Sequence, residues 1–218
     1  MDVFTAMNVM LLVIYDGRAD YLDKCLASVE ENLQYPFRNK IIVNDSGDAK
    51  TKIVDGWSYL FHPQRRGFVA AINSGWTIAR QSTTDYIFHL EQDFTLNEPV
   101  DIPAMVEVLE ANPHLAHLVL RRQPWNSDEI TAGTMGGFED STVCSDGKNT
   151  WTEHEHWYST NPALVPRSTF ERTFPAGSEV IFGAELAADG QKFAFWGSPD
   201  DSPRVTHIGV NRAEEWKL

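Results

Sequence analysis

The sequence predicts an α/β protein in which helices flank a sheet of mainly parallel strands. Short apolar runs, rich in branched and aromatic residues, alternate with segments whose apolar residues recur at helical spacing. The first run, 8–15, is almost entirely apolar, as expected of a central strand covered on both faces. Polar clusters follow the runs at 40–43 and 86–90, and open α/β sheets bind ligands beyond the carboxyl ends of their strands.

Length and charge narrow the range of functions. The 218 residues suit one domain, or one domain with a substantial extension. The net charge of −13 argues against a broad nucleic-acid footprint, which needs clustered Lys and Arg. The same charge is compatible with a polyanionic small molecule, because a bound metal ion reverses the local potential.

The cysteines and the first segment indicate a cytoplasmic protein without a membrane span. Cys25 and Cys144 are far apart and fit no metal-ligand spacing, so we expect reduced thiols, with Cys25 packed inside a helix. The apolar segment 1–14 is too short to cross a bilayer and lacks the basic start of a secretion signal. It is therefore predicted to hold the first strand, and no other segment suits a membrane span.

The first half of the chain alternates strands and helices. A helix over 20–33 has apolar residues at helical spacing and Asp20 as its N-cap. A second helix begins at Gly67, which lets the backbone approach a ligand, and small residues up to Ala79 let this helix pack closely on the sheet. The predicted strands of this half are 8–15, 40–43, 57–62 and 86–90.

A long irregular region is predicted in the second half. The segment 121–161 mixes Gly, Ser, Thr, Asp and Trp without a clear period, which is typical of functional or mobile loops. A helix over 178–189 follows, with Ser178 as its N-cap and Gly190 as its stop. The other predicted elements are helices at 102–111 and 166–173 and strands at 116–120, 193–196 and 204–208.

Two acids one residue apart, Glu91 and Asp93, follow the apolar run 86–90. A desolvated charge needs a partner or a metal, and a divalent cation held against a diphosphate would account for the pair. The alternative is a solvated turn with two ordinary acids. The tract 153–156 also contains metal-ligating residue types, but its two histidines are two residues apart and do not share a helix face, unlike the HExxH arrangement.

Several motifs, in order from about residue 8 to 209, together resemble the GT-A glycosyltransferases, in particular glycosyltransferase family 2. The turn at 13–18 is similar to the family's opening element, and 67–75 resembles its helix of glycine, alanine and asparagine. The other matching motifs are Asn44-Asp45-Ser46-Gly47 for the nucleotide-binding acid, Glu91-Gln92-Asp93 for the metal-binding DxD, 161–165 for the acceptor-side segment, Glu179 for the catalytic acid and His207 for the metal-site histidine.

This resemblance implies a GT-A (Rossmann-like) nucleotide-diphospho-sugar transferase fold. A single domain, 1–218, would divide into a nucleotide-binding half at about 1–100 and an acceptor-binding half at about 101–218. The implied reaction moves a sugar from a nucleoside diphosphate sugar to an acceptor hydroxyl and inverts the anomeric centre. A Mn²⁺ or Mg²⁺ ion, held by Asp93 and His207 with help from Glu91, would neutralise the leaving diphosphate, and this mixed ligand set favours Mn²⁺.

The same resemblance assigns the remaining site residues. Glu179 would take the proton of the acceptor hydroxyl, with Glu185 on the same helix as the fallback base. The predicted contacts to the donor are Asp45 on the nucleobase, Tyr15 stacking nearby, Gly67 at the close backbone approach, Arg66 at the phosphates or base edge, and Glu91 at a ribose or metal-bound water. The chain departs from the family at Glu91, where an aspartate is usual, and at Ser178-Glu179, where a Glu-Asp pair is usual.

Two other functions fit parts of the pattern. A nucleotidyltransferase also places two acids around a metal, but it needs a Gly-rich, basic loop after the first strand, where this chain offers only Gly17 and Arg18. A non-catalytic nucleotide-sugar-binding module is compatible with the two departures from the family pattern. The candidates for the acceptor are a glycan, a protein side chain, a small molecule and a modified nucleobase, of which the acidic charge disfavours the nucleic acid.

Overall fold

A nine-stranded mixed sheet forms the centre of the protein in a computed structural model that describes residues 7–48, 54–122, 141–177 and 179–209. The strands are β1 (Val9–Tyr15), β2 (Asn39–Asn44), β3 (Ser58–Phe61), β4 (Tyr86–Glu91), β5 (Phe94–Leu96), β6 (Leu115–Val119), β7 (Thr142–Ser145), β8 (Thr150–His154), β9 (Ala163–Pro166), β10 (Lys192–Trp196) and β11 (Val205–His207). The helices are α1 (Ala19–Asn32), α2 (Phe68–Arg80), α3 (Ile102–Ala111), α4 (Arg167–Phe170) and α5 (Glu179–Ala188).

The strand order of the large sheet is β3-β2-β1-β4-β9-β6-β10-β8-β7. The four strands from β3 to β4 run parallel, as the sequence predicts. In their register Tyr15 lies opposite Asn44 and Ile14 lies opposite Glu91, so the carboxyl ends of β1, β2 and β4 meet at one edge. Beyond β4 the pairing is antiparallel except between β6 and β10. The polar residues that follow β1, β2 and β4 therefore gather at the same edge.

Both faces of β1 are buried, which confirms the prediction for a central strand. Successive side chains alternate across a strand. Leu11 and Val13 accordingly join the core beneath α1 and α3, whereas Leu12 and Ile14 join the core beneath α2 and α5. Cys25 is fully buried in the first of these cores, and burial raises the pKa of its thiol, as expected of a packed cysteine.

Gly75 determines how closely α2 lies on β1. A Cβ atom at this position would stand 2.6 Å and 2.7 Å from the two terminal methyl carbons of Leu12. Only a residue without a side chain fits this crossing, in agreement with the small residues that the sequence places along α2. The close contact holds the middle of α2 against the middle of β1.

The structure corrects several predicted elements. Helix α1 begins at Ala19, so Asp20 lies in its first turn and is not the N-cap, a position that Arg18 occupies without a capping side-chain bond. Part of the segment predicted as irregular forms the hairpin of β7 and β8. Asp146 stabilises its turn by accepting from the backbone N–H groups of Lys148 and Asn149.

Other corrections concern short elements. The helix predicted over 166–173 is shorter: Pro166 is the last residue of strand β9, which pairs with β4 and β6, and the helix ends at Phe170 with Glu171 as its C-cap. Strand β5, which has three residues and pairs with β11, is not among the predicted strands. Ser178, the predicted N-cap of α5, and the tract 123–140 lie outside the described residues. Among the helices that the structure describes, none has the length and apolar character to traverse a bilayer.

Candidate active site

A cavity of about 240 Å³ opens at the edge where the parallel strands end. Its walls come from the ends of β1, β2 and β4, from the start of α2 and from the segment before β9. The lining residues are Ile14, Asp16, Asp45, Arg65, Phe68, Ala71, Glu91, Gln92, Asp93 and Thr160. Four of them are acids, so the cavity lies where the predicted ligand site was placed and has a strongly acidic lining.

Asp93 and His207 lie side by side although they are far apart in the sequence. Strand β11 pairs with β5 so that His207 lies opposite Phe94, and the N–H of Ile208 donates to the Asp93 carbonyl over 2.8 Å. His207 Nε2 stands 3.5 Å from Asp93 Oδ2. A Cβ at Gly209 would stand 2.5 Å from the same oxygen, so glycine is needed there for this approach. The structure therefore brings together the two predicted metal ligands.

Arg122 sets the orientation of the His207 ring. Its guanidinium Nη1 lies 2.9 Å from His207 Nδ1, and because arginine can only donate, Nδ1 is the acceptor. In the neutral ring Nε2 then carries the hydrogen and faces Asp93. Arg18 adds a second cation, with Nη2 3.7 Å from Asp93 Oδ2.

The residues at this point fit a divalent cation in part. The Asp93 carboxylate is a suitable ligand for Mn²⁺, whereas the His207 imidazole would become one only after losing the hydrogen from Nε2 and its Nδ1 contact with Arg122. Within the described ranges, no set of three or more His, Cys, Asp or Glu side chains is placed to hold a metal ion. A cation bound between Asp93 and His207 would thus take its other ligands from phosphate oxygens and water, as Mg²⁺ commonly does at nucleotide sites.

Glu91 and Glu179 approach each other through Thr160. Glu179 is the first residue of α5, and its Oε1 accepts from both the N–H and the hydroxyl of Thr160, each over 2.5 Å. The hydroxyl oxygen also lies 3.3 Å from Glu91 Oε1. Glu185, the fallback base, lies on the exposed face of α5. The predicted base and the predicted donor-side acid therefore meet at a threonine that the sequence analysis did not identify.

Arg122 is a second site residue that the sequence analysis missed. It follows β6 and lies within electrostatic range of Glu91, Asp93 and Glu179. Burial lowers its pKa below the ordinary value for arginine, while these three carboxylates act in the opposite direction. In the sequence, a basic residue shortly after a buried apolar strand is the pattern that would have indicated Arg122.

Asp45 is buried and shapes the loop before α2. Its Oδ1 accepts from the N–H of Arg66 over 2.8 Å, and its Oδ2 accepts from the N–H of Gly67 over 2.7 Å. His62 Nδ1 lies 2.7 Å from Oδ1, and His62 Nε2 lies 3.0 Å from Ser74 Oγ. The order Asp-His-Ser resembles that of a hydrolytic triad, but Ser74 is inside α2, where the neighbouring amides belong to the helix and form no oxyanion hole.

Two of the predicted donor contacts lie elsewhere than expected. The Tyr15 side chain is 3% exposed and packs in the core beneath α1, outside the cavity lining. The Arg66 side chain is exposed and borders a separate groove along α2, while the Arg66 backbone N–H donates to Asp45 Oδ1. Arg65 lines the cavity instead, with its Nη2 3.2 Å from Asp16 Oδ2.

Asp16 is a further cavity residue that sequence reasoning missed. The Gln92 side chain donates to Asp16 Oδ1 and accepts from the Asp16 N–H, so the turns after β1 and β4 are tied together. Gln92 lies between Glu91 and Asp93 and is 2% exposed. Together with Gly67, whose φ of +87° favours glycine, these contacts fix the backbone around the cavity mouth.

A sheet whose parallel strands end at an acidic cavity, extended by antiparallel strands and followed by a helix that begins with the base candidate Glu179, is the arrangement of the class of GT-A glycosyltransferases. The model of the family described as Glycosyl transferase family 2 matches residues 11–174, which is most of the chain. The protein belongs to that family.

Solved structures share this fold at low sequence identity. The mannosyltransferase PcManGT of Pyrobaculum calidifontis, solved with GDP-Man and Mn²⁺, has a TM-score of 0.59 at 18% identity, over 88% of this chain and 55% of that one. S. aureus TarS gives 0.62 at 13% over 92% and 36% of the two chains. TarS 1–349 with UDP-GlcNAc gives 0.60 at 13% over 93% and 61%. This chain therefore spans between about a third and two thirds of these relatives, and no curated protein sequence matches it.

Proposed function

We propose that this protein is a metal-dependent, inverting glycosyltransferase that moves a sugar from a nucleoside diphosphate sugar to an acceptor hydroxyl. One observation carries the proposal. Glu91, Asp93 and Thr160 line one cavity at the carboxyl edge of the sheet, and His207 and Glu179 contact Asp93 and Thr160 from behind this lining, which supports a cation site and a base close to each other.

On the donor side, Asp93 and His207 would hold Mn²⁺ or Mg²⁺. When bound, the ion would neutralise the negative charge that grows on the leaving diphosphate. The complex of PcManGT with GDP-Man and Mn²⁺ supports a metal ion at the donor, and the complex of TarS with UDP-GlcNAc supports a nucleotide-sugar donor, both through the shared fold. Arg18, 3.7 Å from Asp93 Oδ2, and Arg65 at the cavity wall add positive charge for the phosphates.

Recognition of the nucleoside would involve the loop that Asp45 organises. Both carboxylate oxygens of Asp45 accept from backbone N–H groups at the start of α2, so its main effect would be to hold Gly67 against the donor. Asp45 also lines the cavity and would reach the nucleobase there. Tyr15 and Arg66 stay proposed contacts that require movement toward the cavity, and Glu91 would bind a ribose hydroxyl.

On the acceptor side, Glu179 would take the proton of the attacking hydroxyl. Its Oε1 already accepts two hydrogen bonds from Thr160, so Oε2 is the atom that receives the proton. The acceptor oxygen forms a bond to the anomeric carbon, and the bond from that carbon to the diphosphate breaks with its electron pair leaving on the phosphate. Attack opposite the leaving group inverts the configuration. A base of this kind typically contributes about 10²–10⁴-fold in rate.

We also propose that 1–218 is a single domain whose two halves bind different substrates. The parallel half, up to about residue 100, would bind the donor, and the part from about 101 onward would bind the acceptor. This division follows from the position of Glu179 and Thr160 after β6 and of Asp16, Asp45 and Asp93 before it.

The proposal can be tested with a panel of nucleotide sugars, including UDP-GlcNAc and GDP-mannose, with and without Mn²⁺. A donor at 100 times its Kd stabilises the folded protein by about 2.7 kcal/mol and raises the Tm. We expect such a shift for at least one donor, larger with Mn²⁺, together with slow release of the nucleoside diphosphate as water replaces the acceptor. Absence of both effects across the panel would remove the proposal.

A further inference from the structure

We propose that Thr160 is a positioning residue that holds the base Glu179 in its reactive orientation and separates it from the donor-side acid Glu91. This inference rests on the proposed function and assigns a role to a residue outside the sequence motifs. Thr160 lies just before the strand β9, lines the cavity and is 7% exposed.

The hydrogen bonds of Thr160 leave Glu179 with one defined reactive oxygen. The N–H and the hydroxyl of Thr160 both donate to Glu179 Oε1, each over 2.5 Å. A carboxylate held at two points on one oxygen cannot rotate without losing both bonds. Glu179 Oε2 is thereby kept as the proton acceptor, and the attacking hydroxyl meets it in one geometry.

The same hydroxyl also determines which acid is the base. Its oxygen lies 2.5 Å from Glu179 Oε1 and 3.3 Å from Glu91 Oε1. A threonine hydroxyl carries a single hydrogen, so it can donate to only one of the two carboxylates. The shorter distance assigns this hydrogen to Glu179, and Glu91 is left to bind the donor.

The packing of α5 fixes the distance between Thr160 and Glu179. A Cβ at Gly183 would stand 2.8 Å from the backbone N of Tyr158, so the segment before Thr160 lies directly on α5. The Tyr158 ring is 2% exposed and lies 4.9 Å, centroid to centroid, from the ring of Phe182 in the same helix. The hydrogen-bonded pair is therefore held by the core.

Arg122 makes this arrangement of two acids electrostatically tolerable. Two carboxylates on either side of one hydroxyl repel each other, and the half-buried guanidinium of Arg122 acts on both Glu91 and Glu179. Thr160 has no charge and acts through geometry. Its removal should change the orientation of Glu179 while leaving the donor site in place.

The test is Thr160→Val, which keeps the backbone N–H and the shape and removes the hydroxyl. The assay is release of UDP or GDP from UDP-GlcNAc or GDP-mannose with Mn²⁺. We expect kcat to fall about 10- to 100-fold, the equivalent of one hydrogen bond to a charged group, with unchanged donor KM. Thr160→Ser, which restores the hydroxyl, should recover most of kcat. Thr169→Val is the matched control, because it removes a buried hydroxyl that donates to the Ala116 carbonyl away from the cavity.

A second measurement separates positioning from general loss of structure. If Thr160 acts only through Glu179, adding Thr160→Val to Glu179→Gln should cost no further activity. If Thr160→Val lowered kcat by the same factor in the wild-type protein and in Glu179→Gln, the inference would be overturned while the proposed function stands. A wild-type kcat in Thr160→Val would overturn it in the same way. A wild-type protein that neither binds nor cleaves any donor would instead remove the proposed function, and the inference with it.

Discussion

At the residue scale, the site is built from carboxylates whose partners decide their roles. Asp45 accepts backbone hydrogen bonds at both oxygens, whereas Glu179 is held at one oxygen and Asp93 faces a histidine. The different partners of these three equally charged acids therefore suggest three different functions. The sequence motifs locate these residues, and only the partners distinguish them.

The first prediction concerns Glu179, the proposed base. Glu179→Gln keeps an oxygen that can accept from Thr160 but removes the ability to take a proton. Donor binding should be unchanged, and turnover should fall by about 10²–10⁴-fold. Calorimetry with the donor and a product assay measure the two effects. Glu185→Gln, on the exposed face of the same helix, should retain full activity, and a loss there together with an active Glu179→Gln would identify Glu185 as the base.

The second prediction concerns Asp45. In Asp45→Asn an amide group replaces one of the carboxylate oxygens that accept from the N–H groups of Arg66 and Gly67. A buried donor left without an acceptor costs about 1–3 kcal/mol, so the free energy of unfolding in urea should fall by that amount and donor affinity should weaken with it. Asp55→Asn is the control, since Asp55 is exposed and its bond to the Gly56 N–H can be kept by asparagine. Equal stability of the two variants would contradict the proposal that Asp45 holds the loop before α2.

The limits of sequence reasoning are clear at this scale. Thr160 belongs to no motif, and its partners Glu91 and Glu179 lie 69 and 19 residues away. Such contacts depend on tertiary packing, which residue patterns do not encode directly. The convergence of Asp93 and His207 could be anticipated only through the family resemblance, because their proximity results from the pairing of β5 with β11.

At the scale of elements, periodicity predicted the parallel half well. Strands β1, β2 and β4 are buried on both faces and read as continuous apolar runs. The hairpin of β7 and β8 was missed because β7 lies at the edge of the sheet and is mostly exposed, so its residues carry no apolar pattern. Strands β5 and β11 have three residues each, too few for a periodic signal.

The third prediction belongs to the contact between α2 and β1. Alanine favours a helix over glycine by about 1 kcal/mol, but in Gly75→Ala the new methyl would overlap the side chain of Leu12. We expect a net loss of about 1–3 kcal/mol in the free energy of unfolding, as is typical of overpacking. Adding Leu12→Val should recover part of this loss. A more stable Gly75→Ala protein would contradict the close helix contact.

At the scale of the whole molecule, three buried histidines make the fold sensitive to acid. His89, His117 and His154 are at most 4% exposed, and among the described residues neither ring nitrogen of His89 or His117 has a hydrogen-bond partner. Burial lowers the pKa of His89 and His154 to about 4 and that of His117 well below its ordinary value of 6.5. The neighbouring imidazoles lower the pKa of His117 and His154 further.

The fourth prediction follows from these shifts. Between pH 6.5 and 4 the unfolded chain binds protons at these histidines and the folded chain does not, so their contribution to stability is intact above pH 6.5 and is lost as the pH falls. Near pH 5 the slope from three histidines approaches about 4 kcal/mol per pH unit. Urea unfolding at several pH values measures it, and His117→Gln should remove about one third of the slope. A free energy of unfolding that is constant from pH 6.5 to 4 would contradict the buried, neutral state.

The central claim is that a cation at Asp93 and His207 binds the diphosphate of a nucleotide sugar. Calorimetric titration of UDP-GlcNAc and GDP-mannose, with Mn²⁺ and with chelator, into the wild type and Asp93→Asn tests it most directly. Asparagine keeps the size of Asp93 and removes its charge. We expect Mn²⁺ to strengthen binding of at least one donor to the wild type and to have no effect on the variant. The same Mn²⁺-dependent affinity in both proteins would contradict the account.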